Sequence, residues 1–155
     1  MSNRSDAPIR LSFETTLLVR DTCLCLHAQR AARALARRFD EALRPLNLTN
    51  GQFSLLMALN RPEPVAMGPV AALLAMDRTT LTAALKVLER RGLLTITPDP
   101  KDRRGRRLAL TEPGRGLLRD ALPIWQRVHG ALEADLPDGD ATRLRQDLVT
   151  LGRLT

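Results

Sequence analysis

Apolar and polar positions change their spacing along this chain in a regular order, which predicts a row of helices interrupted once by a hairpin. Residues 12–44 run without glycine or proline until Pro45 and read as one long helix, with Ser12 as its N-cap. Thr49 with Gln52 fits a capping box, and Leu48 with Phe53 fits the hydrophobic staple around it. A helix to about Asn60 follows, with Phe53, Leu56 and Leu59 along one side. Gly68-Pro69 opens a short helix to about Ala75. Asp77 then caps a helix over 78–91, with Arg90 and Arg91 in its last turn and Gly92 as its stop. Leu93 to Thr97 is β-branched and alternating, and Arg106 to Leu110 alternates again, so the two read as strands around a polar tip from Pro98 to Gly105. Thr111 caps a helix reaching about Ala134, with a kink expected at Pro123. A last helix from about Asp140 spaces Ala141, Leu144, Leu148 and Leu151 by threes and fours.

The expected fold is therefore mainly α with a small two-stranded β-hairpin: a three-helix core followed by a wing, flanked by helical extensions. The 155 residues suffice for a sizeable core, and no residue pattern marks a boundary that would divide the chain in two. Hydrophobic residues make up 44% and charged residues 26%, as in soluble globular proteins. No stretch approaches the roughly 20 apolar residues of a membrane span. The N-terminal segment lacks an apolar signal region and carries Asp6 and Glu14. Cys23 and Cys25 cannot form a disulfide framework, so a reducing cytoplasm is the expected compartment.

Charge narrows the function. The chain has 24 Lys plus Arg against 17 Asp plus Glu, a formal net charge of +7, and all of its cations except Lys86 and Lys101 are arginines. Guanidinium suits planar recognition of phosphate and guanine, although a basic balance alone does not name a partner. The helix over 78–91 is more specific. At about 100° per residue, Leu81, Ala84, Leu85 and Leu88 gather on one side, and Thr79, Thr82, Ala83, Lys86 and Arg90 on the other. Short hydroxyls, a methyl and two cations suit a major groove, where Thr contacts bases or phosphate and Lys or Arg contacts guanine. An ordinary amphipathic surface helix would show the same inward face. The tip adds Lys101, Arg103, Arg104, Arg106 and Arg107, a density that a solvated turn does not need and a narrow minor groove does.

At this point the residues resemble the MarR family of bacterial regulators. The resemblance rests on "LTNGQFSLLMAL" and on "LLAMDRTTLTAALKVLERRGLLTITPDPKDRRGRRLALTEPGRGLL". The wing pattern D-x-R-x-x-x-L-x-L-T matches Asp102, Arg104, Leu108, Leu110 and Thr111. The resemblance implies an N-terminal helical dimerisation region over 1–46, a winged helix-turn-helix over 47–111 and a C-terminal helical dimerisation region over 112–155, all in one compact subunit. It implies a homodimer bound to double-stranded DNA, a pseudo-palindromic operator with half-sites about 10 base pairs apart. The DNA-contact candidates are Arg78, Thr79, Thr80, Thr82, Lys86, Arg90, Arg103, Arg104 and Arg106. Arg104 would enter the minor groove, with Asp102 holding its guanidinium in position. The seam of Leu144, Leu148 and Leu151 fits a dimer, or equally an intramolecular core.

The resemblance also implies a signal, either a small aromatic or phenolic effector or oxidation of a cysteine. His27, Phe39, Phe53 and Trp125 are candidates for lining an apolar ligand cavity, and plain core packing accounts for them too. Cys25 falls near the reactive cysteine of the hydroperoxide-sensing branch, whose thiolate is held by tyrosines, and this chain has no tyrosine. Residues two apart on a helix point about 200° apart, so Cys23 and Cys25 are not expected to bridge each other. Both could equally be small apolar side chains. Cys23, His27 and His129 fall short of a metal set, and no cofactor is expected. No glycine-rich phosphate loop, paired-carboxylate cleft or Ser-His-Asp pattern points to an enzyme. The sequence therefore predicts a dimeric, sequence-specific DNA-binding repressor released by a small aromatic ligand. The alternatives are a thiol-based sensor using Cys25 and a winged-helix protein-interaction module without specific DNA binding.

Overall fold

The computed structural model describes residues 11–153; the start of the chain, on which the expectation of no signal segment falls, lies outside the described residues. The chain divides into two compact units, one up to Leu35 and one from Ala36 onward, a division that the reading of a single subunit does not draw.

The first unit holds α1 (Phe13–Thr22) and the beginning of α2 (Leu24–Leu43). Ser12 caps α1 as expected, its hydroxyl accepting the Thr15 amide at 3.3 Å. The single helix expected over 12–44 is interrupted. Cys23 leaves helical geometry with ψ 107°, and its amide still donates to the Val19 carbonyl to close α1. The Cys23 thiol then accepts the Leu26 amide, taking the place a serine hydroxyl would fill at an N-cap. No glycine or proline signals this break, because a sulfur is serving as the cap.

In the second unit α2 ends at Leu43, and a 3₁₀ turn through Pro45 leads into α3 (Asn50–Ala58). The capping box forms: the Gln52 amide donates to Thr49 Oγ1 at 3.2 Å, and the Thr49 amide to Gln52 Oε1 at 3.1 Å. α4 (Met67–Leu74), α5 (Arg78–Arg90), α6 (Glu112–Ala134) and α7 (Ala141–Gly152) lie within a residue or two of the positions the pattern predicts. α6 continues through Pro123 as helix.

The hairpin is β2 (Leu94–Pro98) with β3 (Arg106–Leu110), antiparallel, Leu94 opposite Leu110 and Pro98 opposite Arg106. A third strand, β1 (Val65–Ala66), pairs with the other edge of β3, with Val65 opposite Leu108. The two-stranded expectation is thus corrected to a three-stranded sheet in the order β1-β3-β2. Two residues show no alternation, so only the partner strand reveals β1.

One core joins these elements. Leu81, Leu85 and Leu88 on the inward face of α5 are fully buried, with Leu56 of α3, Val70 of α4 and Leu108 of β3. Gly92 closes α5 at φ +71°, a left-handed conformation that favours glycine. Gly114 lies on the first turn of α6, where a β-carbon would collide with the Leu93 carbonyl oxygen, so only a bare α-carbon lets α6 pack there. On α7, Leu144, Leu148 and Leu151 are 44%, 51% and 46% exposed and stand outside the buried core of the second unit. No helix among the described residues is long and apolar enough to cross a membrane.

Candidate nucleic-acid interface

Asp77 starts α5. Its Oδ1 accepts the Thr80 amide at 2.8 Å and its Oδ2 accepts the Thr80 hydroxyl at 2.7 Å. These bonds, the backbone amide first, hold the Asp77 carboxyl below the usual aspartate value. Thr80 is therefore part of the cap. One turn on, the Thr82 hydroxyl donates to the Arg78 carbonyl at 2.7 Å. Arg78, Thr79, Thr82, Ala83 and Lys86 line an open hollow of about 440 Å³ on the outward side of the helix. Four of the five residues that helical periodicity places on the outward face, all but Arg90, line this hollow.

The wing is built by two aspartates. Asp99 Oδ1 accepts the Lys101 amide at 2.9 Å, and Asp102 Oδ1 accepts the Arg104 amide at 2.9 Å, two turns in succession. Asp99 Oδ2 also pairs with Arg107 Nε at 2.9 Å across the base of the hairpin. The Lys101 amide foremost, and then Arg107, hold the Asp99 carboxyl below its usual value. Asp102 was expected to hold the Arg104 guanidinium; it holds the Arg104 backbone instead, and makes no ion pair among the described residues. The main-chain amide is nearer to a side chain two residues back than the tip of a long guanidinium is. Arg103 and Arg104 are exposed, and Arg106 donates from Nη1 to the Gly105 carbonyl. Sequence reasoning placed Arg107 in the basic tip and passed over Asp99. The signal was available, since an acid just past one strand of a hairpin can meet a base near the start of the returning strand.

The remaining candidates separate. Phe53 and Trp125 come together, ring centroids 6.5 Å apart, and Trp125 stacks on His129 at 4.5 Å. With Ser54, Met57, Leu73 and Leu122 they line a hollow of about 340 Å³ between α3, α4 and α6. Phe39 is buried and does not line it. His27 lies in the first unit, where its Nδ1 donates to the Cys23 carbonyl at 2.8 Å. Cys25 is exposed, with Gln29 Nε2 donating to its sulfur at 3.1 Å. Cys23 stands outside the helix, so the 200° separation of helical neighbours does not apply to Cys23 and Cys25. No group of three metal-ligating side chains occurs among the described residues.

A family model described as MarR family matches residues 46–105, the segment from the end of the 3₁₀ turn to the tip of the wing. The M. tuberculosis transcriptional regulator MosR, solved in complex with DNA, is 40% identical, with 84% of this chain and 94% of that one covered and a TM-score of 0.77. The chain belongs to the MarR family of winged helix-turn-helix transcriptional regulators. The repressor CouR of Rhodococcus jostii, bound to a 23-mer DNA duplex, is 30% identical over 87% of this chain and 96% of that one, with a TM-score of 0.78. The organic hydroperoxide resistance transcriptional regulator of Bacillus subtilis is 29% identical over 90% of this chain and 92% of its own length. Within the MarR frame, α4 and α5 form the helix-turn-helix and β2–β3 the wing.

Proposed function

We propose that this MarR-family chain is a homodimeric, sequence-specific DNA-binding repressor whose affinity is lowered by a small aromatic ligand. The observation that carries this reading is a division among its cations. Arg78, Lys86 and Arg90 on α5, and Lys101, Arg103, Arg104 and Arg106 on the wing, make no ion pair among the described residues, whereas Arg107 at the wing's base is paired with Asp99. Cations without carboxylate partners can neutralise phosphates and release counterions. α5 lies in the major groove with Thr79, Thr82, Lys86 and Arg90 toward the bases, and Arg104 enters the adjacent minor groove. The exposed apolar positions of α1, α2 and α7, among them Leu18, Leu24 and Leu148, support the homodimer. Such a dimer presents two copies of α5 to a pseudo-palindrome. The hollow at Phe53 and Trp125 takes the ligand, and the CouR structure bound to p-coumaroyl-CoA supports that chemistry by similarity.

Gel shifts against the gene's own upstream DNA at physiological salt test the reading. A specific complex at nanomolar protein is expected, and equal affinity for scrambled DNA would refute it. In Arg104→Ala, binding should weaken and the salt slope should fall by about 1, with the dimer intact. Phenolic acids should raise the melting temperature and release the DNA.

Cys25 supports a second reading, a thiol switch, because it is exposed, its sulfur accepts from Gln29, and the Bacillus subtilis relative is named for hydroperoxide resistance. An organic hydroperoxide should then release DNA from the wild type and not from Cys25→Ser.

A further inference from the structure

The hydroxyl bonds of α5 bear on which feature of DNA the helix reads, an inference that rests on the DNA-binding function proposed above. Three threonines stand in its first turns, yet two have already committed their donors. The Thr80 hydroxyl is bound to Asp77 Oδ2, and the Thr82 hydroxyl to the Arg78 carbonyl, each at 2.7 Å. A hydroxyl has a single proton, so neither can donate to a base edge without breaking a bond within the helix. With its oxygen turned to the backbone, Thr82 has its γ-methyl left for outward contact. Ala83 beside it has nothing but a methyl. These two residues line the same hollow as Thr79, Arg78 and Lys86, and most of the hollow's surface is apolar.

We propose that Thr82 and Ala83 are specificity-determining residues that read the 5-methyl group of thymine in the major groove, while Lys86 and Arg78 supply phosphate or guanine contacts around it. Among the four bases only thymine presents a methyl in that groove. A largely apolar hollow that also holds cationic side chains matches a methyl flanked by phosphates. Thr79 remains the one hydroxyl on this face that makes no hydrogen bond among the described residues, so it is the donor available for an adjacent acceptor.

The test uses a duplex enriched by the full-length protein from a random-sequence pool. That duplex is resynthesised with deoxyuridine replacing thymidine at one position at a time, which removes the methyl and keeps every hydrogen-bonding atom. Substitution at one or two positions in each half-site should weaken binding about fourfold per methyl, the value for one buried methylene-sized group. In Thr82→Ser, which keeps the hydroxyl bond to Arg78 and removes the γ-methyl, the penalty at one of those positions should shrink toward none. Ala83→Gly should do the same at another. Uracil duplexes that bind as tightly as thymine at every position would overturn the proposal. So would a uracil penalty that persists undiminished in both variants, since the methyl would then be felt through duplex shape. A pool that yields no enriched sequence would instead overturn the DNA-binding reading beneath it.

Discussion

Asp99 and Arg107 meet across the base of the wing, Oδ2 to Nε at 2.9 Å, and the same carboxylate accepts the Lys101 amide from its other oxygen. One side chain thus fixes both the entry to the tip and its distance from the returning strand. It also removes Arg107 from the cations free to face DNA. Two long side chains, Arg103 and Arg104, hang from the next turn, which Asp102 organises.

Asp99→Ala should weaken DNA binding roughly tenfold, because the wing must then be ordered at the moment of binding. Asp99→Asn keeps an acceptor for the Lys101 amide and should recover part of that loss. Fluorescence anisotropy with a labelled operator, alongside circular dichroism, makes the comparison. Undiminished affinity in Asp99→Ala would mean that the wing is shaped without it.

Gly114→Ala should destabilise the fold by roughly 2–4 kcal/mol, since the new β-carbon overlaps the Leu93 carbonyl, a backbone atom that also receives the Thr111 amide. Urea unfolding would show a lower midpoint. A midpoint equal to the wild type would mean that α6 is free to shift away from β2.

Stability should fall in acid for an identifiable reason. Asp77 is held ionised in the folded chain to a lower pH than the usual aspartate value of 3.8. As pH drops, the unfolded chain takes up its proton first, so this contribution is present above that value and is lost as pH falls through the folded-state one. Melting temperatures measured from neutral pH down to about 3 should decline less steeply in Asp77→Asn, which keeps a neutral cap. Parallel curves would assign the acid limb to other carboxylates.

Leu148→Asp should turn the protein into a monomer at micromolar concentration in sedimentation experiments. The residue is half-exposed in the single chain, and a charge there would be buried unpaired in a dimer. A variant that sediments as the wild-type dimer would place α7 outside the interface.

Local rules made much of this fold legible. The Thr49–Gln52 box, the Ser12, Asp77 and Thr111 caps, the inward leucines of α5 and the β2–β3 hairpin all depend on residues within a few positions of one another. Spacing alone can specify such relations, and the outward face of α5 followed from the same periodicity. Other features needed partners distant in sequence or choices among competing bonds. β1 exists because β3 offers it an edge. Asp102 could reach a guanidinium or an amide, and the turn geometry brought the amide closer. The meeting of Phe53 with Trp125 and the exposure of Leu148 follow from how α3, α6 and α7 pack, which periodicity does not encode. Residue order thus determined most of the elements, though not β1 or the break at Cys23, and the face that α5 turns outward. Packing decided which hydroxyls, carboxylates and cations on that face remained available to another molecule, because each donor and acceptor can be committed to only a few partners at once.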